Sequence, residues 1–518
     1  MKRRGGAEDG LSRREVLMGS GVVLGGMALT GCGHSQRQPA SADDPTQQYT
    51  YFENLKTFTP GTPLEDDELR ITFVGSGFPP PRRAQAEMSV FVEVGPWTVD
   101  SAGYGQATDS FLFDIGSGAF TNTTALNISP AKLDKVFISH LHGDHMGDLP
   151  HLYWFGPSSD RKAPLFVFGP SASGVPTPEK WGSAPAGTVY DDGTRAMCEH
   201  LRSMMRWGTE SFSFQTTSTP ESKGVKGVDF WVPDTRGAVG DDPAADGYAI
   251  VPVELDWTKS GEQADDNIAY RNDKTGVTIQ HFPVIHTRKG SIGYVLEWNG
   301  MKMLYSSDTK PEYTSLGLAS EGEGLDVYIH EMILPADVLT MKMLGITDPS
   351  QVPAEYWQMA LSSVATVQNS SHTPQGAYGY MLSQINPKPR LAVATHFTTS
   401  DDTVEVALGS IRDHVPGVKW EASGEILDDG KHPAKDSANI TWTTDLMVLR
   451  VFPDKILIQR AEVSDYAYQA VPVKTYAQQN APKYDDGDPS TLYGDPYAQI
   501  DASDAIPQND QTYRADGW

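Results

Sequence analysis

The chain has very little cysteine: Cys32 and Cys198 are the only two among its 518 residues. Two cysteines exclude a disulfide framework and a cysteine-rich metal site. Basic residues are also scarce, with 41 Lys and Arg against 67 Asp and Glu and a formal net charge of -26. Because tight binding to a phosphate backbone needs dense Lys and Arg, this balance argues against nucleic acid as a partner.

Two catalytic motifs are absent from the sequence. It contains no Gly-x-Ser-x-Gly nucleophile elbow and no phosphate-binding loop of the Walker type. Serine hydrolase and nucleotide hydrolase chemistry therefore have no motif support.

The N-terminus carries an export pattern. Residues 12–17 (SRREVL) form a twin-arginine pattern, and the apolar run that follows ends in Leu29-Thr30-Gly31-Cys32, which is typical of a lipobox. The run is too short and too glycine-rich for a stable spanning helix, so we interpret residues 1–31 as a cleaved signal peptide. We expect export by the twin-arginine route and a lipoprotein, anchored to the membrane through lipid on Cys32, that faces the periplasm or the cell exterior. An uncleaved anchor is the alternative.

Composition divides the remaining chain into three parts. Residues 32–67 are rich in Ser, Gln, Pro and Asp and predict a flexible tether. Residues 68–460 carry strand and helix patterns and predict one α/β domain with a long insertion at about 155–276. Residues 461–518 are rich in Tyr, Pro, Asp and Gln and predict an extended tail. We expect this tail either to be disordered or to wrap around the domain or a partner subunit, which leaves a homo-oligomer open.

The most informative stretch is His140-Leu141-His142-Gly143-Asp144-His145, which directly follows an apolar run. Imidazole and carboxylate are the usual ligands of zinc in open hydrolytic sites. Two histidines two positions apart cannot share one helix face, so they fit the tip of a strand that enters a loop. A solvated, histidine-rich turn is the plain alternative, and it does not account for so many clustered polar groups.

His-x-His-x-Asp-His after an apolar strand resembles the signature of the metallo-β-lactamase superfamily. The following segment, residues 147–150 (GDLP), is similar to the ribonuclease Z and arylsulfatase-like branch. This resemblance implies an αββα sandwich with a metal centre at one edge, whose other ligands follow in order along the chain.

The resemblance implies two sets of metal ligands that share one bridging carboxylate. They are His140, His142 and His286 for one metal, Asp144, His145 and His396 for the other, and Asp308 between them. His281 competes with His286, but the strand after His286 matches the family order better, and His281 has a plain role on a strand face. Asp114, at a strand end, would orient a ligand by hydrogen bonding. An ordinary turn residue is the alternative for Asp114.

Three residues are implied as catalytic. His372 resembles the histidine that donates a proton to the leaving group in the ribonuclease Z branch, and Glu331 would orient it. Asp144 would also help to orient the nucleophile. Taken singly, His372 before a helix would more often be a capping or surface residue, and Glu331 a simple strand-end carboxylate.

Together these features predict a metal-dependent hydrolase with a binuclear zinc site, hydroxide as nucleophile and a histidine general acid. Zinc is expected because all implied ligands offer nitrogen or oxygen, with manganese and iron as alternatives. The expected substrate is a small phosphodiester, sulfate ester, carboxylic ester or lactone. The other readings are a non-haem iron oxidoreductase of the same fold, a ribonuclease Z-like nuclease, which the acidic composition disfavours, and a non-catalytic lipoprotein.

Overall fold

A computed structural model of the protein describes residues 55–98, 104–105, 108–159, 161, 163–177, 185–211, 248–261, 265–399, 401–421, 424–427 and 432–463. The predicted signal peptide, most of the predicted tether and nearly all of the predicted tail lie outside these residues. Within the described ranges, no helix combines the length and the apolar character needed to cross a bilayer.

The secondary structure alternates between strands and helices. The strands are Lys56–Phe58 (β1), Leu69–Gly75 (β2), Ser89–Val94 (β3), Trp97–Thr98 (β4), Tyr104–Gly105 (β5), Asp109–Phe113 (β6), Lys135–Phe137 (β7), Leu165–Pro170 (β8), Ile250–Leu255 (β9), Ile268–Asn272 (β10), Val277–Pro283 (β11), Ile292–Trp298 (β12), Met301–Tyr305 (β13), Val327–Glu331 (β14), Leu391–Thr395 (β15), Gly417–Trp420 (β16), Gly424–Leu427 (β17), Ser437–Trp442 (β18), Met447–Phe452 (β19) and Lys455–Ala461 (β20). The α-helices are Ala119–Ala125 (α1), Gly143–Met146 (α2), Leu149–Phe155 (α3), Thr194–Ser211 (α4), Tyr313–Ala319 (α5), Ala336–Leu344 (α6), Ala354–Ser371 (α7), Gln375–Gln384 (α8) and Asp401–Arg412 (α9). Short 3-10 helices cover Pro130–Lys132, Gly156–Ser159 and Pro349–Gln351.

Two large sheets face each other across a shared core. The first has the spatial order β1-β20-β19-β2-β3-β6-β7-β8-β9, with β17 beside β20, and the second has the order β10-β11-β12-β13-β14-β15-β18-β16. Side chains of both sheets, among them Phe113, Phe137 and Tyr294, pack between them. Helices α1, α3 and α4 cover the outer face of the first sheet, and α5, α8 and α9 cover that of the second. The predicted αββα sandwich is confirmed.

The described strands differ from the sequence-based boundaries at two places. Strand β1 lies in the predicted tether, yet it pairs in parallel with β20, so Lys56 faces Gln459. The predicted insertion contains β8, β9 and β10, which are integral strands of the two sheets. The sequence predicts short strands at residues 229–232 and 248–253, and the second of these overlaps β9, whereas glycine, proline and serine hid the pattern of β8 and β10. The predicted strand at residues 229–232 lies outside the described residues.

The topology brings several strand ends to one edge of the sandwich. In the second sheet β13, β14 and β15 are parallel neighbours, and in the first sheet β6 and β7 are also parallel. Carboxyl ends of parallel neighbours meet at the same edge of a sheet, so the loops after these strands lie close together. The phenol of Tyr294 donates to the Ile138 carbonyl (2.7 Å) and ties the two sheets together at this edge.

A buried polar cluster lies at the opposite edge, where β10 ends and β11 begins. The carboxylate of Asp109 accepts hydrogen bonds from the Tyr270 hydroxyl, from the Asn272 amide (3.2 Å) and from the Thr275 hydroxyl (3.1 Å). The ammonium of Lys135 lies 3.3 Å from the same carboxylate. This cluster stabilises contacts between the two sheets. It is separated from the strand ends described above by the full length of β11.

Candidate metal centre

The loop after β7 carries the histidine-rich motif and turns into the short helix α2. Gly143 begins this helix, and a Cβ atom at Gly143 would meet no other atom within 4 Å. The tight approach occurs instead at Gly116, where a Cβ would lie 2.2 Å from the Asp144 carbonyl oxygen. Glycine is therefore needed at position 116. It lets the backbone after β6 lie close to the backbone of the histidine-rich motif.

Three histidines converge on the first candidate metal position. The Nε2 atom of His140 lies 2.9 Å from Nδ1 of His142, which lies 3.2 Å from Nε2 of His286. The other ring nitrogen of His286 donates to the Ser371 carbonyl oxygen (2.9 Å). This hydrogen bond fixes the tautomer and directs the Nε2 lone pair towards the other two rings.

Four donor atoms surround the second position. The Nε2 atom of His145 lies 3.4 Å from Oδ2 of Asp144 and 3.3 Å from Oδ1 of Asp308. The Nε2 atom of His396 lies 3.3 Å and 3.4 Å from the same two oxygens. A tetrahedron with metal–ligand bonds of zinc length has edges of roughly 3.3–3.4 Å, and these four nitrogen–oxygen distances match such edges.

The burial of these atoms also fits a cation. Nε2 of His145 and Oδ1 of Asp308 are buried and have no hydrogen-bond partner among the residues that the structure describes. Buried polar atoms normally have partners, and a bound cation would satisfy both. The other oxygen of Asp308, Oδ2, lies 3.8 Å from Nε2 of His286. The Asp308 carboxylate therefore lies between the two positions, as expected for a bridging ligand.

The electrostatics differ between the two sets. Burial lowers the pKa of His140, His142 and His286, which favours the neutral imidazole that a metal requires. In the second set, burial alone would lower the pKa of His145 and His396, but Asp308 and other carboxylates raise both, that of His396 to about 10. The carboxylates thus attract positive charge to the second position, and a divalent cation supplies such charge.

Asp114 orients His145 from the end of β6. Its carboxylate accepts from Nδ1 of His145 (2.8 Å), from the Tyr305 hydroxyl (2.7 Å) and from the Ser307 hydroxyl (3.2 Å). It also accepts from the backbone N–H and the hydroxyl of Ser139, at 2.7 and 2.8 Å. These hydrogen bonds hold the carboxylate in place, and its bond with Nδ1 of His145 leaves Nε2 of that ring for a metal.

Asp114→Asn is expected to lower the affinity of the cation bound by His145 by about 10- to 100-fold. Asparagine tolerates the positive φ of 57° at this position, but its amide group would face hydrogen-bond donors. Chelator competition on the purified protein measures the affinity. Asp109→Asn, at the first residue of the same strand, is the matched control and should reduce stability alone. Equal affinities in Asp114→Asn and the native protein would contradict the orienting role.

His372 and Glu331 form a pair beside the second position. Nδ1 of His372 donates to Oε2 of Glu331 (2.8 Å), and the second oxygen of Glu331 accepts from the Thr309 backbone N–H. Burial alone would lower the pKa of His372, but the carboxylates of Glu331 and Asp308 raise it. The ring stacks on His396 with centroids 5.5 Å apart. The His372 side chain is 16% exposed, so its ring is reached by solvent beside the second position.

The residues predicted from the sequence as ligands and catalytic groups therefore lie together in the structure. His281, the alternative to His286 as a ligand, does not lie with them. It is 2% exposed, and its backbone hydrogen-bonds to Asn267. Among the described residues, the groups able to hold a metal do not include His281. Sequence reasoning missed Tyr305 and Ser307 around Asp114, because a hydroxyl in a strand has no pattern of its own.

Comparisons with known proteins give a local match. Residues 96–153, which include the histidine-rich motif, match the family model described as Metallo-beta-lactamase superfamily.

Two known enzymes are similar over one part of the chain. Ribonuclease Z of Methanococcus maripaludis is 32% identical over 103 residues, which is 20% of this chain and 30% of that relative. Ribonuclease BN of Escherichia coli O17:K52:H18 is 37% identical over 98 residues, which is 16% of this chain and 32% of that relative. The chain thus spans about a third of the length of these relatives.

Among solved structures, the metallo-beta-lactamase fold protein YhfI from Bacillus subtilis covers 74% of this chain and 100% of its own. Its sequence identity to this chain is 11% and the TM-score is 0.38.

Proposed function

We propose that this chain, which has the metallo-β-lactamase fold, is a metal-dependent hydrolase with two adjacent cation positions. The observation that carries the proposal is that the Nε2 atoms of His145 and His396 each lie 3.3–3.4 Å from one carboxylate oxygen of Asp144 and one of Asp308. The first histidine set shares Asp308 with this group.

The protein side chains have separate tasks in such a centre. His140, His142 and His286 would hold one cation, Asp144, His145 and His396 the other, and Asp308 both. Two divalent cations, when bound, supply a water of lowered pKa and stabilise charge on the attacking and leaving oxygens. The buried carboxylate of Asp114 keeps the second set oriented, which limits reorganisation during the reaction.

We assign to His372 the protonation of the leaving group. Its Nδ1–H is engaged by Glu331, so its Nε2 would carry the proton that passes to the leaving oxygen. Glu331 fixes the ring and stabilises its charged form, and its buried side chain is itself held by the Thr309 backbone. The side chain of His372 is 16% exposed, which leaves access for a substrate.

The proposed substrate is a small phosphodiester. The two relatives named above are ribonucleases, and ribonucleases cleave phosphodiester bonds. The net charge of -26 opposes a long polyanion and favours a small substrate. The lipoprotein anchor inferred from Cys32 would place this activity outside the cytoplasm.

Hydrolysis of bis(p-nitrophenyl) phosphate by the purified protein tests the proposal. Activity should disappear after removal of metal by a chelator and return with zinc or manganese. A protein that holds two zinc ions but does not cleave this diester would exclude phosphodiesters, and p-nitrophenyl sulfate, p-nitrophenyl esters and lactones would be assayed next. If the protein binds a single iron ion and does not cleave the diester, that result would favour a non-haem iron oxidoreductase instead.

A further inference from the structure

His396 has an unusual backbone for a metal ligand. Its φ of 57° lies in the left-handed region, which is uncommon for residues other than glycine. Such a conformation persists where the surroundings hold it in place. The side chain follows β15 directly and is the last ligand of the second set along the chain. The groups that hold residues 396–399 therefore decide whether its Nε2 points at the cation.

Gln85 holds the segment that follows His396. Its amide donates to the Phe397 carbonyl oxygen (3.0 Å) and lies 3.4 Å from the Thr399 hydroxyl. Its carbonyl oxygen accepts from the Thr399 backbone N–H (3.3 Å). Gln85 is 7% exposed, so these hydrogen bonds are shielded from water. The resemblance to known families assigns no role to this residue.

Asp445 in turn holds the loop that carries Gln85. Its carboxylate accepts from the Ala86 backbone N–H (2.7 Å), from the Asn122 amide (2.9 Å) and from the backbone and hydroxyl of Ser76, at 3.1 and 2.8 Å. The Ser76 hydroxyl also accepts from the Gln85 amide at 3.0 Å. An uninterrupted path of hydrogen bonds thus runs from Asp445 to the backbone after the last metal ligand.

The same loop contacts His396 from a second direction. The ring of Phe78 packs against the imidazole with centroids 5.7 Å apart. The guanidinium of Arg82 lies over the Phe78 ring at 4.5 Å and donates to the Phe78 carbonyl oxygen (3.0 Å). Displacement of the loop would therefore release both the backbone and the ring of His396.

We propose that Gln85 and Asp445 are positioning residues that hold His396 for the second cation and so set the affinity of that position. The proposal rests on the metal-binding half of the proposed function. It assigns the dependence on Gln85 and Asp445 to the second position alone, because the first set is held by other contacts, such as that of His286 with the Ser371 carbonyl.

Gln85→Met tests the proposal, since methionine keeps the length of the side chain and removes all of its hydrogen bonds. The affinity of one cation, measured by chelator competition, should fall by about 10- to 100-fold, while the other keeps its native value. Asp445→Asn retains one acceptor oxygen and should weaken the same cation by a smaller factor. The melting temperature of the metal-free proteins is measured in parallel.

Asn272→Leu is the matched control. Asn272 is a buried amide that hydrogen-bonds to Asp109 and Tyr270 at the opposite edge of the sandwich. Its loss should lower the melting temperature of the metal-free protein and leave both affinities unchanged. If Gln85→Met behaves in the same way, Gln85 only supports the fold and the proposal is wrong. A native protein that binds fewer than two cations would overturn the proposed centre, and this inference with it.

Discussion

Asp308→Ala is expected to bind at most one cation and to hydrolyse phosphodiesters at least about 10³-fold more slowly than the native protein. The reason is geometric. Oδ1 of Asp308 lies 3.3–3.4 Å from the donor atoms of His145 and His396, and Oδ2 lies 3.8 Å from that of His286. No other carboxylate in the described ranges joins both sets. Alanine would also leave the imidazoles of the second set without their main counter-charge.

Metal content and turnover of bis(p-nitrophenyl) phosphate are measured on the same sample, so that a loss of activity can be assigned to a loss of metal. Asp326→Asn is the matched control. Asp326 directly precedes β14, whereas Glu331 is the last residue of that strand. The Asp326 carboxylate pairs with Arg390 at 2.6 Å. The Asp326→Asn variant should be less stable than the native protein but should bind both cations. Full metal content together with near-native turnover in Asp308→Ala would rule out a bridging role.

His372→Ala is expected to slow cleavage of diesters with poor leaving groups by about 10²- to 10⁴-fold, the range found for loss of a general acid. A p-nitrophenolate leaves without much help from a proton, so its release should slow much less. The rates of methyl phenyl phosphate and methyl p-nitrophenyl phosphate therefore separate in the variant. The slope of log rate against leaving-group pKa measures this effect.

Metal content distinguishes the two roles that the geometry allows for His372. Its Nδ1 lies within ligand distance of the group formed by Asp308, Glu331 and His396. A general acid can be removed without loss of metal, whereas a ligand cannot. An equal loss for good and poor leaving groups, accompanied by loss of a cation, would show that His372 binds metal. Glu331→Gln should give a smaller effect with the same dependence on the leaving group.

The convergence of the candidate ligands could be predicted because most of them lie at strand ends that the sequence marks clearly. His140, His142, Asp144 and His145 fall within six residues. Each of the other implied ligands follows an apolar run. Asp308 follows β13 and His396 follows β15, and parallel pairing of both strands with β14 brings these two residues together, whereas His286 follows β11. The αββα arrangement follows from the same strands.

The supporting residues could not be predicted, because their role depends on contacts between distant parts of the chain. Gln85 and Phe397 are 312 positions apart, and Ser76 and Asp445 are 369 positions apart. Neither Gln85 nor Asp445 belongs to a motif, and a single glutamine in a loop carries no periodicity. Strands β8 and β10, within residues 155–276, were missed for a related reason, since turn residues around them obscured the pattern.

The parallel pairing of β1 with β20 has a consequence for biosynthesis. Strand β2 lies between β3 and β19, and β19 pairs with β20. The first sheet is therefore complete only when the segment Met447–Ala461 is present. Until residues 447–461 have emerged from the ribosome, one edge of β2 has no partner strand. Unpaired strand edges can pair with other chains. Asp445 arrives at the same late stage. The fold therefore assembles only after translation of nearly the whole domain, and a shortened chain would be prone to aggregate rather than to bind metal.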